Sequence, residues 1–377
     1  MGDVRVSPEA LVVAAVLALG TCGGDGGPAA TGGRETSKST TGTGQVTTTT
    51  AAPPARVGTV SYSENGDVWL FDGTTGEKRQ LTTDGETRLD RAPRFVSSEV
   101  VSYLSGQEHV VLRTIDLASG TTRDVAEGPI DRYAWSPDRR QVVTLEQVGE
   151  RESALKIRDV DHPNQTELRR FAHPNELDRG TFEGLDELSL AWAPGSAILF
   201  VDTSLSYMSP DDDAATLFLL RPDGTPVMAP VPRATFGRWS VDGRQVYYLA
   251  RHWHVFDMTS GAVRRLPFGF GPFPTLSPDG EKIAYHGDGA EPPVWIADLR
   301  TGAQREVTRG AIHPVWLDND NLIMTNTVRC PRSPQECEAG GHGSLWDTAN
   351  TTSRLDLRTG AREPLPLSST EDIDVVR

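Results

Sequence analysis

Leu276-Ser-Pro-Asp-Gly-Glu-Lys-Ile-Ala284, then Val294-Trp-Ile296, then Asp298-Leu-Arg-Thr-Gly302 make up a phrase that this chain repeats. An apolar residue is followed by a turn and a β-branched run, then a second apolar run, then Asp-x-x-x-Gly. The last part returns as Asp72-Gly-Thr-Thr-Gly76, Asp116-Leu-Ala-Ser-Gly120, Asp257-Met-Thr-Ser-Gly261 and Asp356-Leu-Arg-Thr-Gly360. Its physics is that of a hairpin: Asp accepts hydrogen bonds from N–H groups two or so residues on, and Gly takes the positive φ that closes the turn. One such hairpin is ordinary, whereas five of them predict a repeat architecture of short antiparallel strands.

The first part of the phrase returns as Trp135-Ser-Pro-Asp-Arg-Arg-Gln-Val-Val143, Trp192-Ala-Pro-Gly-Ser-Ala-Ile-Leu-Phe200 and Trp239-Ser-Val-Asp-Gly-Arg-Gln-Val-Tyr247. Trp316-Leu-Asp-Asn-Asp-Asn-Leu-Ile323 is a variant, and Phe95-Val-Ser-Ser-Glu-Val-Val101 is a shortened copy. The step of roughly 40 to 57 residues is the length of a four-stranded propeller blade. From Val57 onward the chain resembles the WD40-like repeat of the TolB-type propellers, most closely around Trp239 and Ser277. The resemblance implies a β-propeller, and it implies fold more strongly than function.

With strands A to D counted outward from the axis, six A strands are expected to end near Phe95, Trp135, Trp192, Trp239, Leu276 and Trp316. Seven B–C–D sets are expected, and the first, beginning at Thr59-Val-Ser-Tyr-Ser63, has no A strand before it. The alternating tail Thr370-Glu-Asp-Ile-Asp-Val-Val376 is expected to supply it. The predicted fold is therefore all-β: a seven-bladed β-propeller of four-stranded antiparallel blades, closed by the C-terminal strand joining the first blade, which removes both open edges. Trp135, Trp192, Trp239 and Trp316 are expected to bury their rings where the inner strand meets the next blade. Pro93, Pro274 and Pro314, each two residues before an A-strand apolar residue, are expected to fix φ where the chain turns inward.

Ahead of this domain, residues 1–22 read as an export signal: Ala10 to Gly20 is apolar but short for a membrane span. Leu19-Gly20-Thr21-Cys22 resembles a bacterial lipobox, which makes Cys22 the expected lipidation site; plain secretion and an uncleaved anchor stay open. Residues 23–56 are a Gly/Thr/Ser/Pro stretch without apolar surface to bury, read as a disordered tether reaching roughly 30 Å. Cys330 and Cys337 bracket a short Pro-containing loop and are read as a local disulfide in an exported protein, with two free thiols or half of a metal site the alternatives.

The formal net charge is −15 with no basic stripe, which argues against nucleic acid and against electrostatic binding to anionic lipid. No Gly-x-Ser-x-Gly, no Gly-rich phosphate loop and no His-Glu-x-x-His is present, so no catalytic residue and no cofactor are assigned. His252-Trp-His254 puts two imidazoles on one strand face, with His286 or His313 as a possible third ligand, and Asp211-Asp-Asp213 forms an acidic loop. Neither has the spacing of a metal site, and no metal is assigned.

The loops leading into the inner strands lie on one rim, where propellers commonly bind ligands. The longest, Pro174 to Glu187, carries Phe182, Glu183, Asp186 and Glu187. The same rim carries Arg91, Arg94, Asp131 and Arg132, then Arg233, Arg238, Phe273 and His313, with Glu371 and Asp372 at the tail. Mixed charge around a channel mouth suits a protein or peptide ligand. The expected function is a monomeric extracytoplasmic binding scaffold held at the cell membrane only through its lipid. The alternative is a propeller-type enzyme, a lyase, glycosidase or cyclase, with its site in the central channel.

Overall fold

The structure, a computed structural model, describes residues 58–376 apart from 86–87, 108, 151, 163, 173–189, 194–196, 203–215, 235, 251, 268–270, 272–273, 288, 290, 330–345 and 368–372. These residues belong to one compact unit. The export signal with Cys22, the tether, Cys330 and Cys337 lie outside the described residues. So do Phe182, Glu183, Asp186, Glu187, Phe273, Glu371, Asp372 and Asp211 to Asp213.

The fold is all-β, with four-stranded antiparallel blades. The chain begins with β1 (Thr59–Glu64), β2 (Asp67–Asp72) and β3 (Lys78–Gln80). Next come β4 (Asp90–Ser97), β5 (Val100–Ser105), β6 (Val110–Asp116) and β7 (Thr122–Gly128), then β8 (Ile130–Trp135), β9 (Gln141–Gly149), β10 (Glu152–Asp159) and β11 (Gln165–Ala172). β12 (Leu190–Trp192), β13 (Ile198–Asp202), β14 (Thr216–Leu220) and β15 (Val231–Pro232) form another set, as do β16 (Phe236–Trp239), β17 (Gln245–Ala250), β18 (His252–Asp257) and β19 (Val263–Arg265). β20 (Thr275–Leu276), β21 (Lys282–His286), β22 (Pro293–Asp298) and β23 (Gln304–Arg309) follow, and then β24 (Ala311–Trp316), β25 (Asn321–Arg329), β26 (Trp346–Asp356) and β27 (Arg362–Leu365). The last strand is β28 (Ile373–Val375). Each set of four pairs in chain order, and β28 joins the first three strands in the order β28-β1-β2-β3. Its register sets Val60 opposite Val375 and Tyr62 opposite Ile373, and Val376 N–H donates to the Thr59 carbonyl at 3.0 Å.

A single twisted sheet cannot cover its own faces, so neighbouring sheets cover them. Val68 and Leu70 of the first sheet pack with Val101, Tyr103 and Ile115 of the next. Like clusters join every following pair of sheets. A further one joins Leu317 and Ile323 of the β24–β27 sheet to Val60, Tyr62 and Val375.

The repeated phrases have the expected local cause. Asp298 Oδ1 accepts from Arg300 N–H at 3.0 Å and Thr301 N–H at 2.6 Å, and Gly302 has φ +74°. The turns at Asp72, Asp116, Asp257 and Asp356 repeat this pattern. The Ser-x-Asp of the other phrase has a role that its turn reading did not contain. Ser277 donates its hydroxyl to Asp279 Oδ1 and accepts from Lys282 N–H at 2.9 Å, so it ties the start of one strand to the end of the one before. Ser136–Gln141 and Ser240–Gln245 do the same.

Two expectations about the inner strands need correction. The tryptophans cover the preceding blade, not the next: Trp316 is fully buried among Ala284, Val294 and Ile296 and donates its Nε1–H to the Thr275 carbonyl at 3.0 Å. Trp135 likewise donates to Ser102 Oγ at 2.9 Å, and Trp135, Trp192 and Trp239 remain only partly buried. At Pro93 and Pro314 the turning is done by the residue before the proline. Ala92 (φ 51°) and His313 (φ 49°) are left-handed, and the β4/β5 and β24/β25 registers shift there. Such bulges re-aim side chains at sheet margins.

Candidate functional site

In this strand order the B–C turns and the D-to-A loops share one end of the sheets, and the inner strands start from that end. Arg91 and Arg94 stand on β4, Asp131 and Arg132 on β8, Arg238 on β16, His313 on β24 and Asp374 on β28. Arg233 lies just before β16, exposed and left-handed at φ 59°. Of the rim predicted from sequence, the described residues are thus placed along inner strands and the loops feeding them.

Backbone acceptors hold the guanidinium groups in position. Arg91 Nη1 donates to the Gly106 carbonyl at 2.8 Å, Arg94 Nη1 to the Pro93 carbonyl at 2.7 Å, and Arg238 Nε to the Pro274 carbonyl at 3.2 Å. Arg132 is buried with its Nε 3.3 Å from Asp131 Oδ2, whose own side chain is exposed. Asp374, which the sequence reading used only as part of a strand, accepts from Phe95 N–H at 2.7 Å.

That bond is one of several that latch inner strands together. Tyr133 donates its hydroxyl to the Ala92 carbonyl at 2.6 Å, and Thr275 donates to the Pro314 carbonyl at 2.9 Å. With Arg238 on Pro274, the latches fall on backbone that the bulges or prolines have turned aside from strand pairing. The sequence carries no shared spacing for them, because each blade uses a different side chain, and reading alone could not have found them.

The histidines separate. His252 and His254 share β18, and His254 stacks on Tyr248 with ring centroids 5.2 Å apart. Burial lowers its pKa. His286 and His313 meet each other instead, edge to face at 5.5 Å. Burial, and the His286 ring beside it, push His313 well below the ordinary imidazole value, so it is neutral at pH 7. The His252/His254 pair gains no third ligand among the described residues.

No family model matches this chain, and no curated protein does. Solved structures do. An oligogalacturonate lyase in complex with manganese is similar at TM-score 0.52 and 16% identity, over 69% of this chain and 79% of that one. The tricorn protease is similar at TM-score 0.56 and 10% identity, over 84% of this chain, which spans only 34% of the protease. TolB from Acinetobacter baumannii aligns over 83% of this chain and 80% of its own at 16% identity, but its TM-score of 0.44 is too low to weigh. At these identities the likeness shows the fold alone, a β-propeller, and a fold does not fix a function.

Proposed function

We propose that this chain is an extracytoplasmic binding scaffold whose propeller rim holds an acidic segment of a protein or peptide partner. The observation that carries the reading is a group of arginines among the described rim residues: in a chain of net charge −15, the inner strands and their leading loops gather Arg91, Arg94, Arg132, Arg233 and Arg238, with Asp131 and Asp374 beside them. Guanidinium groups gathered at one mouth attract the acidic groups of a ligand. Rigid strands supply these groups, so little ordering entropy opposes binding.

The ring is read as seven blades with β28 closing on β1. The support is the seven four-stranded sheets found among the described residues, the β28–β1 register and the apolar cluster shared by the last and first sheets. Lipidation at Cys22 and a tether through residue 56 would hold the rim near the membrane.

The test is capture of partners from envelope extract by the wild type and by an Arg91→Glu/Arg233→Glu variant, across a salt series. The expected result is an acidic-segment partner that is lost in the variant and weakened about tenfold or more by raising salt from 50 to about 300 mM. A partner held equally by both proteins would sink the rim assignment. The second reading is a channel enzyme, favoured by the meeting of the buried His286 with the neutral His313. Turnover of an oligosaccharide or peptide that disappears on His313→Gln would select it.

A further inference from the structure

Asp67 begins β2, Asp84 lies in the loop after β3, and Asp90 begins β4. Each offers a carboxylate oxygen, and the three oxygens lie within 4.8 Å of one another. They meet because the loop from β3 to β4 is folded back over the β1–β2 turn. Gly85 N–H donates to Asp67 Oδ1 at 2.9 Å, and Asp90 N–H donates to the Gly66 carbonyl at 2.8 Å. A side chain at either Gly66 or Gly85 would run into the backbone of the other, so the crossing is closed to anything larger than glycine.

A second observation, separate from the clustering, concerns Asp90 alone. It is 1% exposed, and neither of its carboxylate oxygens has a donor in good hydrogen-bond geometry among the described residues; the Ser105 and Thr82 hydroxyls stand near it, and burial still raises its pKa. Buried carboxylates are otherwise paired or hydrogen-bonded, since an uncompensated one is costly. Asp67 is differently placed: Oδ1 accepts from Gly85 N–H and from the Thr82 hydroxyl at 3.2 Å, and Oδ2 accepts from Gln80 Nε2 at 3.0 Å, which holds the carboxylate in place and leaves Oδ2 capacity for one more partner. Arg88 stands 3.6 Å from Asp84 Oδ2 but is half exposed, and it neutralises at most one of three charges.

The geometry points to a divalent hard-cation site, best suited to Ca²⁺, formed by the carboxylates of Asp67, Asp84 and Asp90. Three oxygens within 4.8 Å of one another all lie within about 2.8 Å of a common point, so an inward shift of a few tenths of an ångström brings them to the Ca²⁺–oxygen distance of about 2.4 Å. The set is all oxygen and irregular, with Asp84 open to solvent for water ligands. Mg²⁺, by contrast, demands near-octahedral geometry at about 2.1 Å. The ion would tie the β3–β4 loop to the β1–β2 turn at the start of an inner strand.

The test uses the full chain, stripped with EDTA and dialysed, in equilibrium dialysis against ⁴⁵Ca²⁺ and in thermal melts with CaCl₂ or MgCl₂. The expected result is one ion per chain bound in roughly the millimolar range or tighter, with a raised melting midpoint. Asp84→Asn, at an exposed position that does not endanger folding, should weaken binding about tenfold or more, and Asp90→Asn should abolish it. Absence of binding, or binding that both variants retain, overturns the site. An equal response to Mg²⁺ overturns the calcium assignment.

Discussion

Glu146, on β9, is a buried carboxylate, 1% exposed. Burial alone would raise its pKa. Hydrogen bonds from Arg158, from Lys156 at 2.8 Å and from Thr144 at 2.7 Å outweigh that effect and hold it below the ordinary value of 4.5. A carboxylate with a depressed folded pKa stabilises the fold fully above its unfolded value, and that contribution disappears as pH falls through the folded one. Glu146→Gln should therefore cost about 3 kcal/mol at pH 7, mostly from leaving two cations without a counter-charge. The gap to wild type should narrow below pH 4.5, read as denaturant midpoints across pH. A gap independent of pH would mean that packing, not charge, holds this site. Neither Glu146 nor its partners stood out in the sequence, because Lys156 and Arg158 reach it only through the β9–β10 register.

At the scale of an element, the Asp-x-x-x-Gly hairpin was fully legible, because every contact that shapes it is local. What surrounds it was not. Gly302 and Gly360 have nearly the same φ, +74° and +75°, but a Cβ on Gly302 would strike Pro267 of the preceding blade whereas one on Gly360 would meet nothing. Both alanine variants should lose about 1 kcal/mol for placing a Cβ in the left-handed region. Gly302→Ala should lose about 1 to 3 kcal/mol more from overpacking. Chemical denaturation of the two side by side checks this; equal losses would mean that Pro267 yields freely. The same contrast explains the tryptophans. Their burial could be expected from an aromatic at a strand end, but which neighbour they cover depends on blade order and twist.

At the scale of the molecule, β28 contributes both backbone pairing to β1 and the Asp374 carboxylate to Phe95. Deleting residues 373–377 should expose the edge of β1 and uncover Val60 and Tyr62, which are now fully buried. The expected outcome is a lower melting midpoint together with concentration-dependent association in sedimentation. An unchanged midpoint would show that the tail adds little to the array. The repeat phrases and the four-stranded antiparallel blades were legible in the sequence by itself, since turn chemistry and alternating apolar residues act within a few residues of chain. The latches between inner strands, the left-handed residues before Pro93 and Pro314, the meeting of His286 with His313 and the convergence of Asp67, Asp84 and Asp90 were decided only by the tertiary structure. Each joins groups from separate strands or loops, and their distance is set by how the strands pair and the blades stack, which no local pattern encodes.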